Sequence, residues 1–243
     1  MVPVWLHVLS IGALALGFAS ALIVAIDLTR HPQHMGIMNA VWPVVSLFAG
    51  PVALWGYFKY GRLAAHENAM PAMQRNETPP HKRLTPFPVM VGKGAAHCGS
   101  GCTLGDICAE WLAVWFPGIA AALGWHAFGD KLFAVWVLDY LFAYAFGIAF
   151  QYFTIAPMRG LGLRAGIWQA VKADTLSLTA WQIGMYGWMA LAVLYLFREL
   201  VGVKLEADRV EFWFMMQIAM LCGFMTSYPV NWWLLRAGIK EKM

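Results

Sequence analysis

The sequence predicts an all-α polytopic membrane protein with six transmembrane helices and with the N- and C-termini in the cytoplasm. Three observations support this prediction: 60% of the 243 residues are hydrophobic, only 12% are charged, and the mean hydropathy is +0.59. A soluble globular domain typically carries about 25% charged residues. The composition therefore excludes a soluble globular protein and predicts a single transmembrane domain over residues 1–243.

Six apolar runs of roughly 20 residues are each long enough to cross a bilayer as a helix. Their charged residues are few. The predicted spans are Val4–Ile26, Gly36–Phe58, Cys98–Leu123, Leu132–Ala156, Thr175–Phe197 and Phe212–Leu235. The first run is too long for a signal-peptide core and follows no basic segment, so we expect it to be retained as a helix.

The basic residues predict the orientation, because loops rich in lysine and arginine stay on the cytoplasmic side. With the N-terminus inside, twelve lysines and arginines fall on the inner side and five on the outer side. The inner side then includes residues 59–96, a proline-rich stretch predicted to be a partly ordered cytoplasmic connector. The net charge of +4 is thus a topology signal, and we expect no nucleic-acid partner.

The stretch HCGSGCTLGD, from His97 to Asp106, stands at the predicted start of the third span. On a helix, Cys98, Cys102 and Asp106 share one face, which continues to Glu110. Two thiols about one turn apart suit a single thiophilic ion. With His97 beside them, the set favours Cu(I) over Zn(II), which prefers four ligands.

Two further groups of soft or borderline ligands flank this stretch, and together they predict a graded path for Cu(I) through the membrane. One group lies in the loop after the first span and the other in the last span. Their members are His31, His34, Met35 and Met38 in the loop, and Met215, Met216, Met220 and Cys222 in the span. Adaptable packing is the ordinary role of any single methionine among them.

The same stretch permits two other interpretations. Gly99, Ser100 and Gly101 at a helix start would form a backbone nest that holds an anion or activates a thiol. The protein would then be a membrane thiol oxidoreductase, or a sulfur- or anion-handling protein, that uses Cys98 and Cys102. Alternatively, small residues at a crowded helix start need no ligand at all.

Three carboxylic acids, Asp106, Glu110 and Asp139, fall inside predicted spans. An unpaired carboxylate costs at least about 2.5 kcal/mol at the centre of a membrane helix, and no basic residue is predicted at that depth. Either the acids are protonated and hydrogen-bonded to groups such as Gln182, or they exchange protons with water. We hypothesise that they form a proton site coupled to thiol-bound metal.

HCGSGCTLGD, together with HPQHMGIMNAVWP, ADTLSLTAWQIGMYGWM and SYPVNWWL, resembles a family of bacterial inner-membrane proteins of unknown function that are sometimes labelled copper-related. The resemblance spans nearly the whole chain. It implies a membrane location and a link to copper, and it brings no role for any residue. The predicted activity is Cu(I) transport or handling rather than an enzymatic reaction. The predicted partners are membrane lipid, a copper chaperone or copper oxidase, and further copies of the chain.

Overall fold

The computed structural model describes residues 1–122 and 131–241 of the chain. These residues are almost entirely helical, which confirms the all-α prediction for them. Two short segments, π-helical Tyr57–Gly61 and 3-10 Arg62–Ala64, follow the helix Met38–Gly56. A π-helical segment, Leu191–Val201, follows the helix Leu163–Ala190. The helices are α1 Val4–Arg30, α2 Met38–Gly56, α3 His66–Gln74, α4 Pro80–Leu84, α5 Phe87–Trp115, α6 Gly118–Ala122, α7 Lys131–Arg159, α8 Leu163–Ala190 and α9 Val210–Arg236.

Five helical segments are long and apolar enough to cross a membrane, which indicates a multi-pass membrane protein. They are Val4–Arg30, Met38–Ala64, Lys131–Arg159, Leu163–Val201 and Val210–Arg236. The first, fourth and sixth predicted spans agree with three of these segments to within a few residues at either end. The fifth begins earlier than predicted, at Leu163.

The second predicted span, Gly36–Phe58, does not run straight through the bundle, because the chain folds back at Gly50. Gly50 has φ +51° and ψ −129°, a conformation that residues with a Cβ rarely adopt. The rings of Trp42 and Tyr57 pack 5.4 Å apart, whereas 15 residues of straight helix would separate them by about 22 Å. Residues 38–64 therefore form a helical hairpin.

Both ends of this hairpin lie at the same end of the bundle. The His34 amide donates to the carbonyl of Ala64 (2.9 Å), and the His66 amide donates to the carbonyl of Pro32 (2.8 Å). At the tip, the Gln217 amide of α9 donates to the carbonyl of Leu47 (2.6 Å). A Cβ atom on Gly17, midway along α1, would lie 2.3 Å from the same carbonyl oxygen. The hairpin thus enters the bundle from one end, reaches its middle and returns.

The two termini lie at opposite ends of the bundle. His7 near the start of α1 contacts Glu211 at the start of α9 (2.7 Å), and this end is called the N end. At the other end, called the C end, Tyr228 in α9 donates to the carbonyl of Pro88 at the start of α5 (3.0 Å). This arrangement does not support six crossings with both termini in the cytoplasm.

Helix α5 begins at Phe87, so the prediction that a span starts at Cys98 is wrong. Pro86 and Pro88 set the helix start, since proline is favoured in the first turn of a helix and unfavourable in its interior. The helix ends at Trp115, before Pro117. Residues 87–96 of the predicted connector are therefore helical, and α3 and α4 occupy much of the remainder; the predicted end of the third span, Leu123, lies outside the described residues.

Helix α5 is the central helix of the bundle, and its polar sequence fits that position. A Cβ atom on Gly105 would lie 2.3 Å from the backbone nitrogen of Ala143, and one on Gly101 would lie 2.8 Å from the Cα of Gly147. The backbones of α5 and α7 are therefore in direct contact, as small residues allow between membrane helices. Polar side chains on α5 face protein rather than lipid, which explains why its low hydropathy is tolerated.

Candidate functional site

The three predicted carboxylic acids come together in the interior, in the half of the bundle nearer the N end. Asp106, Glu110 and Asp139 are 0%, 7% and 1% exposed, and Asp139 lies within electrostatic range of both acids on α5. Neither oxygen of Asp106 or Asp139 makes a hydrogen bond of standard geometry with the described residues. Gln182 on α8 is close enough to Asp106 to interact, yet its amide atoms also lack such a bond. Buried groups in a purely structural network are normally hydrogen-bonded, so these acids call for another explanation.

A cavity of about 550 Å³ connects this cluster to the N end. Glu110 lines the cavity, and Lys131 at the start of α7 lies within electrostatic range of its carboxyl group. Lys204, Glu206 and Asp208, from the segment that joins α8 to α9, also line it. Of the three acids, Glu110 is therefore the one that the cavity reaches directly.

The thiols of Cys98 and Cys102 are neighbours on α5, and both side chains are completely buried. They are close enough to form a hydrogen bond with each other, and the Cys102 thiol also interacts with the Asp106 carboxyl group. Gly99, Ser100 and Gly101 lie inside α5, where backbone amides are bonded within the helix. The interpretation that these residues form a backbone nest at a helix start and activate a thiol is therefore wrong.

The contacts of His97 are with α7. Its Nε2 atom is 3.0 Å from the hydroxyl oxygen of Thr154 on α7, and its ring packs against Phe150. Its Nδ1 atom has no hydrogen-bond partner among the described residues. Within residues 1–122 and 131–241, no group of three or more His, Cys, Asp or Glu side chains is arranged to hold a metal ion.

The methionines of α9 pack in the core of the bundle. Met215, Met216 and Met220 are buried, and Met220 Sδ is 3.5 Å from the hydroxyl of Thr103, close to the thiols on α5. Cys222 is only partly buried. Met220 is thus the predicted α9 ligand for which the structure gives a direct contact with the helix that carries the cysteines.

The predicted ligands of the 31–38 loop lie far from the thiols, at the C end. His31 pairs with Glu67 of α3 (Nδ1 to Oε1, 2.8 Å). His34, Met35 and Met38 line a second cavity of about 500 Å³, which also reaches Thr154. The bundle therefore has one cavity that ends at Glu110 and another that ends at the threonine bonded to His97.

Buried ionisable side chains of α5 occupy the stretch between these two cavities. In order from the N end they are Glu110, Asp106, Cys102, Cys98 and His97, and this set is called the α5 column. Asp139 of α7 and Gln182 of α8 interact with its acids, and both are only 1% exposed. The sequence predicted the helix face, and the structure adds the facing side chains from the other helices.

A buried ion pair closes the C end of the bundle, and sequence reasoning missed it. Lys240 Nζ donates to Asp174 Oδ1 (3.0 Å), to Asn231 Oδ1 (2.9 Å) and to the carbonyl of Gly94 (3.2 Å). Asn231 in turn donates to Ser177 and Ser227 (2.7 and 2.8 Å). The polar residues at helical spacing in α8 and α9 were a signal for this network, since they interrupt otherwise apolar helices.

Residues 89–240 match DUF4396, a domain of unknown function, and the match covers more than half of the chain. The chain belongs to the DUF4396 family. This confirms the resemblance to a family of unknown function. The matched part of this DUF4396 protein runs from α5 to Lys240, so it contains the α5 column and the buried ion pair, whereas α1 and the hairpin precede it. No curated protein and no solved structure matches the DUF4396 chain.

Proposed function

We propose that this DUF4396 protein moves protons through the membrane along the α5 column. The observation that carries the proposal is the burial of Asp106 and Asp139 between two cavities that open at opposite ends, with no hydrogen bond of standard geometry to their carboxyl groups from the described residues. Ionisable residues inside a membrane are costly, and chains of Asp, Glu and His side chains are the usual proton relays of pumps and transporters. Asp174 needs no such explanation, because Lys240 neutralises it.

The geometry supports a stepwise transfer. Glu110 exchanges a proton with water in the N-end cavity, and the proton passes from its carboxyl group to the carboxylate of Asp106 or Asp139. Each transfer breaks one O–H bond and forms another, so the total charge of the cluster is conserved. Towards the C end, the thiols, His97 and Thr154 continue the series of groups that can donate and accept protons.

A second function is favoured by the contact between Cys98 and Cys102. Two thiolates within one turn of helix, with the Met220 thioether nearby, form a soft ligand set that selects Cu(I). We propose Cu(I) as the cation coupled to the protons, since Asp106 lies one turn further along the same face. Loss of its proton would leave a negative charge beside the thiols and favour the cation.

Transport activity can be tested with purified protein in liposomes that carry a pH-sensitive dye and an imposed pH gradient. We expect proton movement above that of protein-free liposomes, and we expect Glu110→Gln to slow it because the mutation removes the acid at the cavity wall. Glu77→Gln is the matched control, because Glu77 is exposed and pairs with Arg75 at the C end. Equal flux with and without the wild-type protein would contradict the proposal.

Copper binding is tested by changing Cys98 and Cys102 together to Ser. In the reduced protein, under competition from a Cu(I) chelator, we expect the double variant to lose at least about one equivalent of Cu(I), since thiolates bind soft metals far better than hydroxyls do. Cys108→Ser is the matched control, because this thiol is exposed on the outside of the bundle. Full retention of Cu(I) by the double variant would rule out a thiol site.

The orientation that we propose places the C end in the cytoplasm of a bacterial inner membrane. Four basic residues lie at the N end, namely Lys131, Arg198, Lys204 and Arg209. Twelve described basic residues belong to elements at the C end, namely Arg30, Lys59, Arg62, Arg75, Lys82, Arg83, Lys93, Arg159, Arg164, Lys172, Arg236 and Lys240. This bias agrees with the rule that basic segments stay inside.

Cysteine labelling tests both the orientation and the hairpin. In a variant without the four native cysteines, single cysteines at Gly36 and Gln74 should be protected from an impermeant reagent in intact cells, and a cysteine at Asp208 should be labelled. All three positions are exposed. Opposite results for positions 36 and 74 would show that residues 38–64 cross the membrane.

A further inference from the structure

Among the described residues, two lysines and no acidic residue line the cavity at the C end. Lys93 is only 6% exposed, and Lys82 lines the same cavity. A buried ammonium group without a counterion is costly, so such groups in proteins are normally paired. No partner for Lys93 is found among the described residues.

The acids at this end of the bundle are already committed to other cations. Each forms an ion pair with a different basic side chain, at a distance of at most 3.4 Å. The pairs are Asp27 with Arg62, Glu67 with His31, Glu77 with Arg75, Asp174 with Lys240, and Glu241 with Arg159. Among the described residues at this end, no acid is therefore left to serve as a counterion for Lys93.

Two further polar side chains on the cavity wall have unused hydrogen-bonding atoms. Gln33 is 4% exposed, and neither its amide nitrogen nor its amide oxygen has a partner. His81 is 8% exposed, and its Nδ1 atom also has none. Burial, and to a lesser extent the positive charges of Lys93 and Lys82, lowers the pKa of His81 to about 4, so the ring is neutral at pH 7.

From this arrangement we infer that the C-end cavity binds a ligand that carries a phosphate group. Lys93 and Lys82 supply the charge, and Gln33 and His81 supply hydrogen bonds, which together suit an oxyanion. The positive charges of Lys93 and Lys82 also disfavour Cu(I) at His34, Met35 and Met38, which line the same cavity. The inference is independent of proton movement along the α5 column.

The size of the cavity indicates that the ligand is more than a bare phosphate ion. About 500 Å³ lies within the range of pockets that hold small organic molecules, and the methionines on the wall, Met35, Met73 and Met158 among them, would pack against an apolar portion. Either an organic phosphate from the cytoplasm or the headgroup of an anionic phospholipid has this chemistry. The experiment must separate these two sources.

The test measures thermal unfolding of the full chain in lipid nanodiscs in two arms. In one arm, inorganic phosphate is titrated into phosphatidylcholine nanodiscs; in the other, phosphatidylglycerol replaces part of the lipid and no phosphate is added. We expect a rise in Tm in at least one arm, because a ligand that binds only the folded state stabilises it. A rise in the first arm identifies a soluble phosphate and a rise in the second identifies a headgroup, whereas no rise in either would overturn the inference.

Lys93→Met distinguishes a ligand site from a structural lysine. We expect this variant to unfold at the same or a higher temperature without ligand, because it removes an unpaired buried charge, and to bind the ligand about tenfold or more weakly. Lys172→Met is the matched control, since Lys172 lies over the ring of Trp168 at the same end, and its affinity should be unchanged. If Lys93→Met does not fold, His81→Phe and Gln33→Leu remove the hydrogen bonds instead. Unchanged affinity in all the folded variants would overturn the inference.

Discussion

Replacing Asp106 with Asn is expected to reduce proton movement to the level of protein-free liposomes. Asn has nearly the shape of Asp but cannot ionise, so the variant keeps the packing at a completely buried position and loses the proton acceptor. Because Asn carries no charge to desolvate, we expect its thermal stability to equal or exceed that of the wild type. The measurement is proton flux in liposomes beside the unfolding temperature of the same preparation.

Asp106→Glu provides the control for this prediction. It retains a carboxyl group on the same helix face, next to Glu110 and Asp139, so it should restore part of the flux that Asp106→Asn loses. A well-folded Asp106→Asn protein with wild-type flux would show that Asp106 only bridges helices. That outcome would leave the carboxyl cluster without a role in transport.

Replacing Asp174 with Ala is expected to destabilise the protein by about 3–5 kcal/mol. Lys240 and Asp174 have fully buried side chains, so removal of the acid leaves an ammonium group with only the oxygens of Asn231 and Gly94 as partners. The loss would be measured as a lower free energy of unfolding for the full chain. The same change in Glu77, whose pair with Arg75 is exposed, should cost about 1 kcal/mol or less.

A double variant separates the net contribution of the Asp174–Lys240 pair to stability from the cost of leaving one of its charges buried and unpaired. Asp174→Leu combined with Lys240→Met removes both charges and leaves apolar side chains in their place. Such replacements of buried ion pairs are often neutral or stabilising, so we expect the double variant to be more stable than Asp174→Ala. Equal stability of the wild type and Asp174→Ala would mean that the pair contributes nothing at this end of the bundle.

The sequence predicted the helical class and the approximate limits of three long apolar helices. These are Val4–Arg30, Lys131–Arg159 and Val210–Arg236. The prediction of a straight span failed for residues 38–64, because an apolar run of this length has the same composition whether it crosses the membrane or folds back within it. The decisive feature is the positive φ of Gly50 before Pro51, which a sequence pattern cannot distinguish from an ordinary proline kink.

The start of helix α5 was mispredicted because its first residues are too polar to be recognised as part of a membrane helix. Lys93 and the small residues after it look like the end of a loop when hydropathy is the criterion. In the bundle they face other helices, so polarity no longer marks the water boundary. The cost of burying Asp106 and Asp139 was visible in the sequence, but Lys240 comes from the C-terminal tail, and its contact with Asp174 depends on tertiary structure alone.

The bond between Gln217 and the Leu47 carbonyl has a consequence for the biosynthesis of the chain. Its two partners are 170 residues apart, so the hairpin tip leaves the ribosome long before α9 does. A carbonyl in the middle of a bilayer has no water to bond with. The tip can make this bond only after the last helix has been inserted, so its docking against α9 is a late step in assembly that follows translation of nearly the whole chain.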